Sequence, residues 1–199
     1  SVHLIAGSMA PVASEHGLAI LPTTTFNDAP ELDVICVPGG VGVNAMMEDE
    51  TLLGFLSNAA HHAKYVTSVC TGALLLGAAG LLRGYRATTH WLSLDLLPHF
   101  GAIPVSQRVV IDRNRITGGG VTAGLDFGLA VVAELCGREI AQEIQLMLEY
   151  DPAPPFSCGS PATAPDTIVR RVENTRRNIQ EARSAIARRA AARLGISPG

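Results

Sequence analysis

Two hydrophobic rhythms alternate along this chain. Short runs that are apolar on both sides, the pattern of a fully buried strand, are separated by segments whose apolar positions recur every three or four residues, the pattern of an amphipathic helix. Leu32-Asp33-Val34-Ile35-Cys36-Val37-Pro38 is a β-branched run stopped by Gly39-Gly40, and Tyr65-Val66-Thr67-Ser68-Val69 is a second one. Residues 2–6 form a shorter apolar run, and residues 85–89 a short strand. Residues 108–111 and 115–117 read as a hairpin around Asp112-Arg113-Asn114. Helices are predicted over 48–64, with Leu52, Leu53, Phe55, Leu56, Ala59 and Ala60 on the apolar side, and over 71–82, ended by Gly84. Further helices are predicted over 91–100, 122–135 and 139–149, the last two split at Gly137.

Buried strands alternating with helices predict an α/β fold, a three-layer sandwich with a mostly parallel central sheet. Residues 1–157 are read as that domain. Asp151-Pro152-Ala153-Pro154-Pro155 and Ser160-Pro161 mark a connection. Residues 158–199 then form a proline-containing linker and a helical tail over 166–194, with Ile168, Val172, Ile179, Ala182 and Ile186 as its apolar stripe. The tail is expected to pack on the same domain or on a partner.

Composition sharpens this picture. Among 199 residues, 47% are hydrophobic, 17% charged and only 5% aromatic, so the core is aliphatic and alanine-rich. The net charge of −3 gives no general reason to expect a nucleic-acid partner. That charge is uneven. From Asp166 onward eight arginines face three acids, a local +5, which leaves −8 for the rest. No aromatic interleaves these arginines, so the tail is read as a strap onto an acidic body and not as a nucleic-acid arm. No apolar run approaches the roughly 18 residues of a membrane span, and the front lacks the layout of a signal peptide. Cys36, Cys70, Cys136 and Cys158 are widely and irregularly spaced, without a CxxC pair, which argues against zinc or a disulfide framework and for a cytoplasmic protein.

Ligands of parallel sheets sit at the carboxyl ends of the strands. Three loops therefore matter: Gly39-Gly40, Cys70-Thr71-Gly72 and Gly118-Gly119-Gly120. Cys70 follows a buried strand and opens a helix, where free N–H groups favour a thiolate. Pattern alone leaves a reactive and a buried structural cysteine both open. Gly39-Gly40 is either a pair of oxyanion-hole donors or a plain strand-ending turn, and the same two readings apply to Gly119 and its neighbours. His90 is either a general base near Cys70 or a hydrogen-bonded core histidine. Asp126 either orients a catalytic group or simply sits well near a helix N-terminus, and the second reading is preferred. Trp91 and Phe127 are read as core or pocket wall, His61-His62 as solvated, Cys36 and Cys136 as structural, and Cys158 as a loop cysteine that nothing activates.

Thr67-Ser68-Val69-Cys70-Thr71-Gly72, Gly77-Ala78-Ala79-Gly80-Leu81-Leu82 and Ala87-Thr88-Thr89-His90-Trp91 resemble the ThiJ/PfpI superfamily, which has the flavodoxin-like, class I glutamine amidotransferase-like fold. Val37-Pro38-Gly39-Gly40 and residues 117–127 are similar to it too. The Leu148-Glu149-Tyr150-Asp151-Pro152-Ala153-Pro154-Pro155 run and the arginine-rich tail resemble the isonitrile-hydrating branch and not the shorter members. The resemblance implies that Cys70 is a nucleophile on a strained strand–helix elbow, attacking the terminal carbon of an isonitrile to give a thioimidate that water converts to an N-substituted formamide. It implies Thr71 hydrogen-bonding near the cysteine, Gly39, Gly40, Gly119 and His90 lining the substrate pocket, no cofactor or metal, and a homodimer with neither nucleic acid nor membrane as partner. It also implies an earlier strand carrying an acid. These residues open at the family's second strand, so three readings stay open: they are part of a longer chain, a partner covers the sheet edge, or another residue replaces the acid, with Glu15, His90 and Asp126 as possible substitutes. Two other functions stay open on the same residues: a ligand-sensing domain like those of AraC-type regulators, and a redox protein in which Cys70 oxidises.

Overall fold

Of the two runs that are apolar on both faces, residues 65–69 lie inside the sheet and residues 34–37 at its edge. The computed structural model describes residues 1–14 and 16–196. Its main sheet has the order β5–β6–β10–β9, with β5 (Val34–Val37) and β6 (Tyr65–Val69) parallel, and β6 parallel to β10 (Arg115–Gly118). The outer strand β9 (Val109–Asp112) runs antiparallel to β10, and Arg113-Asn114 forms the two-residue loop of the expected hairpin. Val66, Thr67, Ser68, Ile116 and Thr117 are all fully buried, as a covered parallel sheet requires.

The helices cover both faces. On one side lie α1 (Val43–Met46), α2 (Glu50–Ala60) and α3 (Gly72–Ala78), and on the other α4 (Ala123–Cys136), which packs on β10 and is followed by α5 (Arg138–Met147). α2 starts at Glu50 and not at residue 48, because the Asp49 carboxylate caps it by accepting from the Leu52 N–H at 3.0 Å. α3 stops at Ala78, short of the expected residue 82. Gly80, at φ +76°, turns the chain left-handed, and the Leu81 N–H closes back onto the Leu76 carbonyl. Residues 91–100 form a 3₁₀ helix (Trp91–Phe100) containing Pro98, which has no N–H to give to an α-helical ladder. Tyr85 precedes the short strand β7 (Arg86–Ala87), which pairs with β8 (Ile103–Pro104).

Of four short strands at the front, the first falls at the end of the 2–6 apolar run and the other three escaped the hydrophobic pattern. β1 (Ile5–Ala6) pairs in parallel with β4 (Thr24–Thr25), and β2 (Val12–Ala13) pairs antiparallel with β3 (Ala19–Ile20). At two residues each, they are too short to show a period. Between this front and the outer edge of β5 runs a groove of about 870 Å³, lined by Ile5, Phe26, Leu32, Cys36 and Phe55 among others. Cys36 is thus not a core residue. It opens onto the groove while its neighbours enclose it enough that burial pushes its thiol pKa up. Cys136 is exposed and Cys158 half-buried.

The C-terminal helix α6 (Asp166–Arg193) lies across α1, α3 and the 3₁₀ helix. Ala187, Ala190 and Ala191 belong to the same apolar cluster as Leu74, Leu76, Leu97 and Phe100. Arg189 forms a two-bond ion pair with Glu48, and Arg193 donates to the Met47 carbonyl. No described helix is long and apolar enough to cross a membrane.

Ala187 is wholly inaccessible. Ala187→Glu forces an unpaired carboxylate between α6 and the sheet-side helices, and is expected to cost about 3 kcal/mol in a urea unfolding measurement. Ala192→Glu, on the exposed side of the same turn, is expected to stay within about 0.5 kcal/mol of the parent.

Candidate active site

Cys70 sits on the turn between β6 and α3 with φ +56°. A side chain pays about 1–2 kcal/mol for this left-handed conformation, so the surroundings must hold it there. They do so through the backbone on both sides. The Cys70 N–H donates to the carbonyls of Gly118 and Gly119, at 3.0 and 2.8 Å, at the end of the neighbouring parallel strand β10. The Cys70 carbonyl accepts from the Thr89 hydroxyl at 2.8 Å. The elbow is pressed against the end of β5. A Cβ on Gly72 would lie 2.0 Å from the Val37 carbonyl oxygen, and one on Gly39 would lie 2.6 Å from the Thr71 nitrogen and 2.8 Å from the Cys70 Cβ. Only glycine fits at either position.

The sequence candidates are brought together, but several take other roles than expected. The Gly40 N–H donates to the Thr71 hydroxyl at 3.1 Å, and the Gly119 N–H donates to the Arg108 carbonyl at 2.8 Å. Neither amide is free to serve as an oxyanion donor. The Gly39 N–H has no acceptor among the described residues. Thr71 therefore ties the Gly39-Gly40 loop to the elbow.

His90 caps the 3₁₀ helix. Its Nδ1 accepts from the Leu92 N–H at 3.3 Å, and its ring packs against Gly120. Burial first, then the charges of Arg183 and Arg176, hold its pKa below the ordinary 6.5. The ring is thus held toward its neutral form, and with Nδ1 accepting, Nε2 is the nitrogen placed to carry its proton.

Asp126 is not beside the cysteine as a free acid. Its Oδ2 accepts from the Arg108 guanidinium and, at 3.2 Å, from the Tyr150 hydroxyl. It braces the loop whose Gly119 amide Arg108 holds. Glu15 lies outside the described residues. Phe127 is buried against Gly118, and Trp91 is half-buried beside a groove of about 720 Å³ between the 3₁₀ helix and α6. Among the described residues, no three His, Cys, Asp or Glu side chains cluster to hold a metal ion.

Four polar residues at this end of the sheet had no role in the sequence reading. Thr89 holds the elbow carbonyl. Arg183 of α6, only 5% exposed, donates from Nε to the Asn44 Oδ1 at 2.7 Å and from Nη1 to the Ser93 hydroxyl at 3.1 Å. Asn44 follows the Gly39-Gly40 loop, and Ser93 lies one turn after His90. One signal was present: Arg183 falls four residues after Ile179 and three before Ile186, an arginine on the apolar stripe.

A parallel α/β sandwich that holds a left-handed cysteine between the end of a central strand and a helix defines a class of cysteine-elbow proteins. The chain belongs to one family of that class, the DJ-1/PfpI family, which residues 1–134 match. It is 56% identical over 195 residues to isonitrile hydratase from Pseudomonas putida, covering 98% of this chain and 86% of that protein. It is 36% identical over 142 residues to the HTH-type transcriptional regulator GbdR of Pseudomonas aeruginosa, 70% of this chain but 38% of the regulator. The crystal structure of a ThiJ/PfpI family protein from Pseudomonas syringae superposes with a TM-score of 0.91 at 50% identity, covering 94% of this chain and 78% of that one.

Two outcomes follow from this geometry. Gly72→Ala is expected to destabilise the fold by about 3 kcal/mol or more, read by denaturant unfolding, because its neighbour is backbone and cannot step aside. For His90, the folded pKa lies below 6.5, so below that pH the unfolded chain takes up a proton that the folded chain refuses. Its contribution to stability is present above 6.5 and lost as the pH falls toward the folded value. His90→Asn offers Leu92 an Oδ1 acceptor and does not titrate. Its unfolding midpoint is expected to fall less than the parent's between about pH 7.5 and pH 5.5.

Proposed function

We propose that this protein hydrates an isonitrile to an N-substituted formamide through a covalent bond to Cys70. The single observation that carries the reading is the left-handed Cys70, fixed at N–H, carbonyl and both flanks so that its side chain projects from the turn. The similarity to isonitrile hydratase, which extends over the C-terminal helix, gives the substrate class. The similarity to the regulator spans 142 residues against 195, which is why the enzyme ranks ahead of a ligand sensor.

In this mechanism the Cys70 sulfur attacks the terminal carbon of R–N≡C, and that carbon takes up the proton lost by the thiol. The product is a thioimidate, R–N=CH–S–Cys70. Water adds to the same carbon while the nitrogen is protonated, giving R–NH–CH(OH)–S–Cys70. The C–S bond then breaks, the sulfur regains its proton, and R–NH–CHO leaves. Thr71 keeps the Gly39-Gly40 loop in register with the sulfur. The unpaired Gly39 N–H and the His90 Nε2–H are the donors proposed to face the reacting carbon's substituents.

A homodimer is part of this proposal. Leu125, Leu146 and Met147 of α4 and α5, and Val121 just before α4, are exposed apolar side chains of the kind that subunit contacts cover.

The test is formamide production from a simple aromatic isonitrile, followed by chromatography. Cys70→Ala is expected to reduce turnover by about 10⁴-fold or more with an unchanged unfolding midpoint. Full activity in that variant sinks the mechanism.

A further inference from the structure

The C-terminal helix does more than pack. Its Arg183 is a buried cation without a buried anion. Both of its protein partners, the Asn44 amide oxygen and the Ser93 hydroxyl, are neutral, and among the described residues no carboxylate pairs with it. Nη2 donates to none of the described residues. Nη2 is not among the atoms sealed from solvent without a partner, so it stays open to a ligand, and a guanidinium held in so little water is favoured by an opposite charge nearby.

The two neutral partners show where it points. Asn44 begins one turn after Gly40, whose loop touches the Cys70 side chain through Gly39. Ser93 donates its N–H to the His90 carbonyl, and the adjacent Thr89 holds the Cys70 carbonyl. Arg183 thus bridges the two walls that flank the elbow. Burial lowers its pKa, and Cys70 opposes that shift. The same guanidinium helps to lower the pKa of His90. α3 has only seven residues, so its own dipole is a short one, whereas Arg183 brings a full unit charge.

We propose that Arg183 is the counter-charge of the Cys70 thiolate, so that the C-terminal helix supplies part of the reactive site. Arg183 acts as a positioning residue, through the sulfur and the two walls. The fork geometry of its guanidinium explains why arginine stands there: Nε and Nη1 fix Asn44 and Ser93 in one plane while Nη2 is left for the anion. The inference rests on Cys70 as the reactive group and not on the isonitrile.

The test compares alkylation of Cys70 in the full chain by iodoacetate, which is anionic, and by iodoacetamide, which is neutral. It is read on the Cys70 peptide by mass spectrometry. Both reagents attack the thiolate, so the ratio of their rates cancels its population and reports the local potential. The parent ratio is expected to exceed that of 2-mercaptoethanol, a neutral thiol, by about tenfold. Arg183→Gln and Arg183→Met, the second preserving volume if the first does not fold, are expected to bring the ratio down to the small thiol's value. Arg183→Lys is expected to keep most of it. A parent ratio no higher than the small thiol's overturns the proposal without any variant. So does an unchanged ratio in a folded Arg183→Gln or Arg183→Met protein, which makes Arg183 a clamp only. A parent with the raised ratio but no formamide production leaves this inference standing and removes the isonitrile reading instead.

Discussion

One strained residue organises this molecule. Cys70 occupies a conformation that an L side chain resists, and it stays there because three separate parts of the chain hold its backbone. The parallel register of β6 and β10 delivers two carbonyls to its N–H. The short strand after Gly84 brings Thr89 to its carbonyl. The end of β5 approaches so closely that Gly39 and Gly72 must both lack a Cβ. A turn held on every side by backbone contacts projects its side chain without spending side-chain contacts to do so. That leaves the sulfur out of the contacts that hold the turn.

The polar groups around the elbow follow from the same economy. Gly40, Thr71, Gly119 and Arg108 use their hydrogen bonds on one another, which fixes the two glycine loops at a set distance from the cysteine. Asp126 is drawn into that frame by Arg108 and Tyr150. Burial, and then Arg183 and Arg176 of α6, hold the pKa of His90 below its ordinary value, which favours the neutral ring. The C-terminal helix contributes Arg183 to this end of the sheet. This helix is also built into the core, where alanines with no side-chain entropy to lose allow it to approach α3 closely. An apolar face of small residues with one arginine among them serves packing and charge together.

The sequence by itself determined much of this. Runs apolar on both faces gave β5 and β6 and their parallel neighbourhood, since a strand covered on two sides has no polar position to show. The hairpin, the split at Gly137 and the long tail helix were legible because turn residues and a sustained helical period are local signals. Cys70 was marked as the point where a buried strand meets a helix, and its neighbours pointed to the family. Tertiary structure decided the rest. The front strands were too short to carry a period. Whether Gly40 and Gly119 had free amides depended on partners 31 and 11 residues away in sequence, and tertiary contacts likewise gave His90 its place against Gly120 and made Asp126 a brace. Arg183 lies more than a hundred residues from Cys70. No local pattern joins them; the packing of α6 on α1, α3 and the 3₁₀ helix brings Arg183 to Asn44 and Ser93, because desolvation and Coulomb forces act through space and not along the chain.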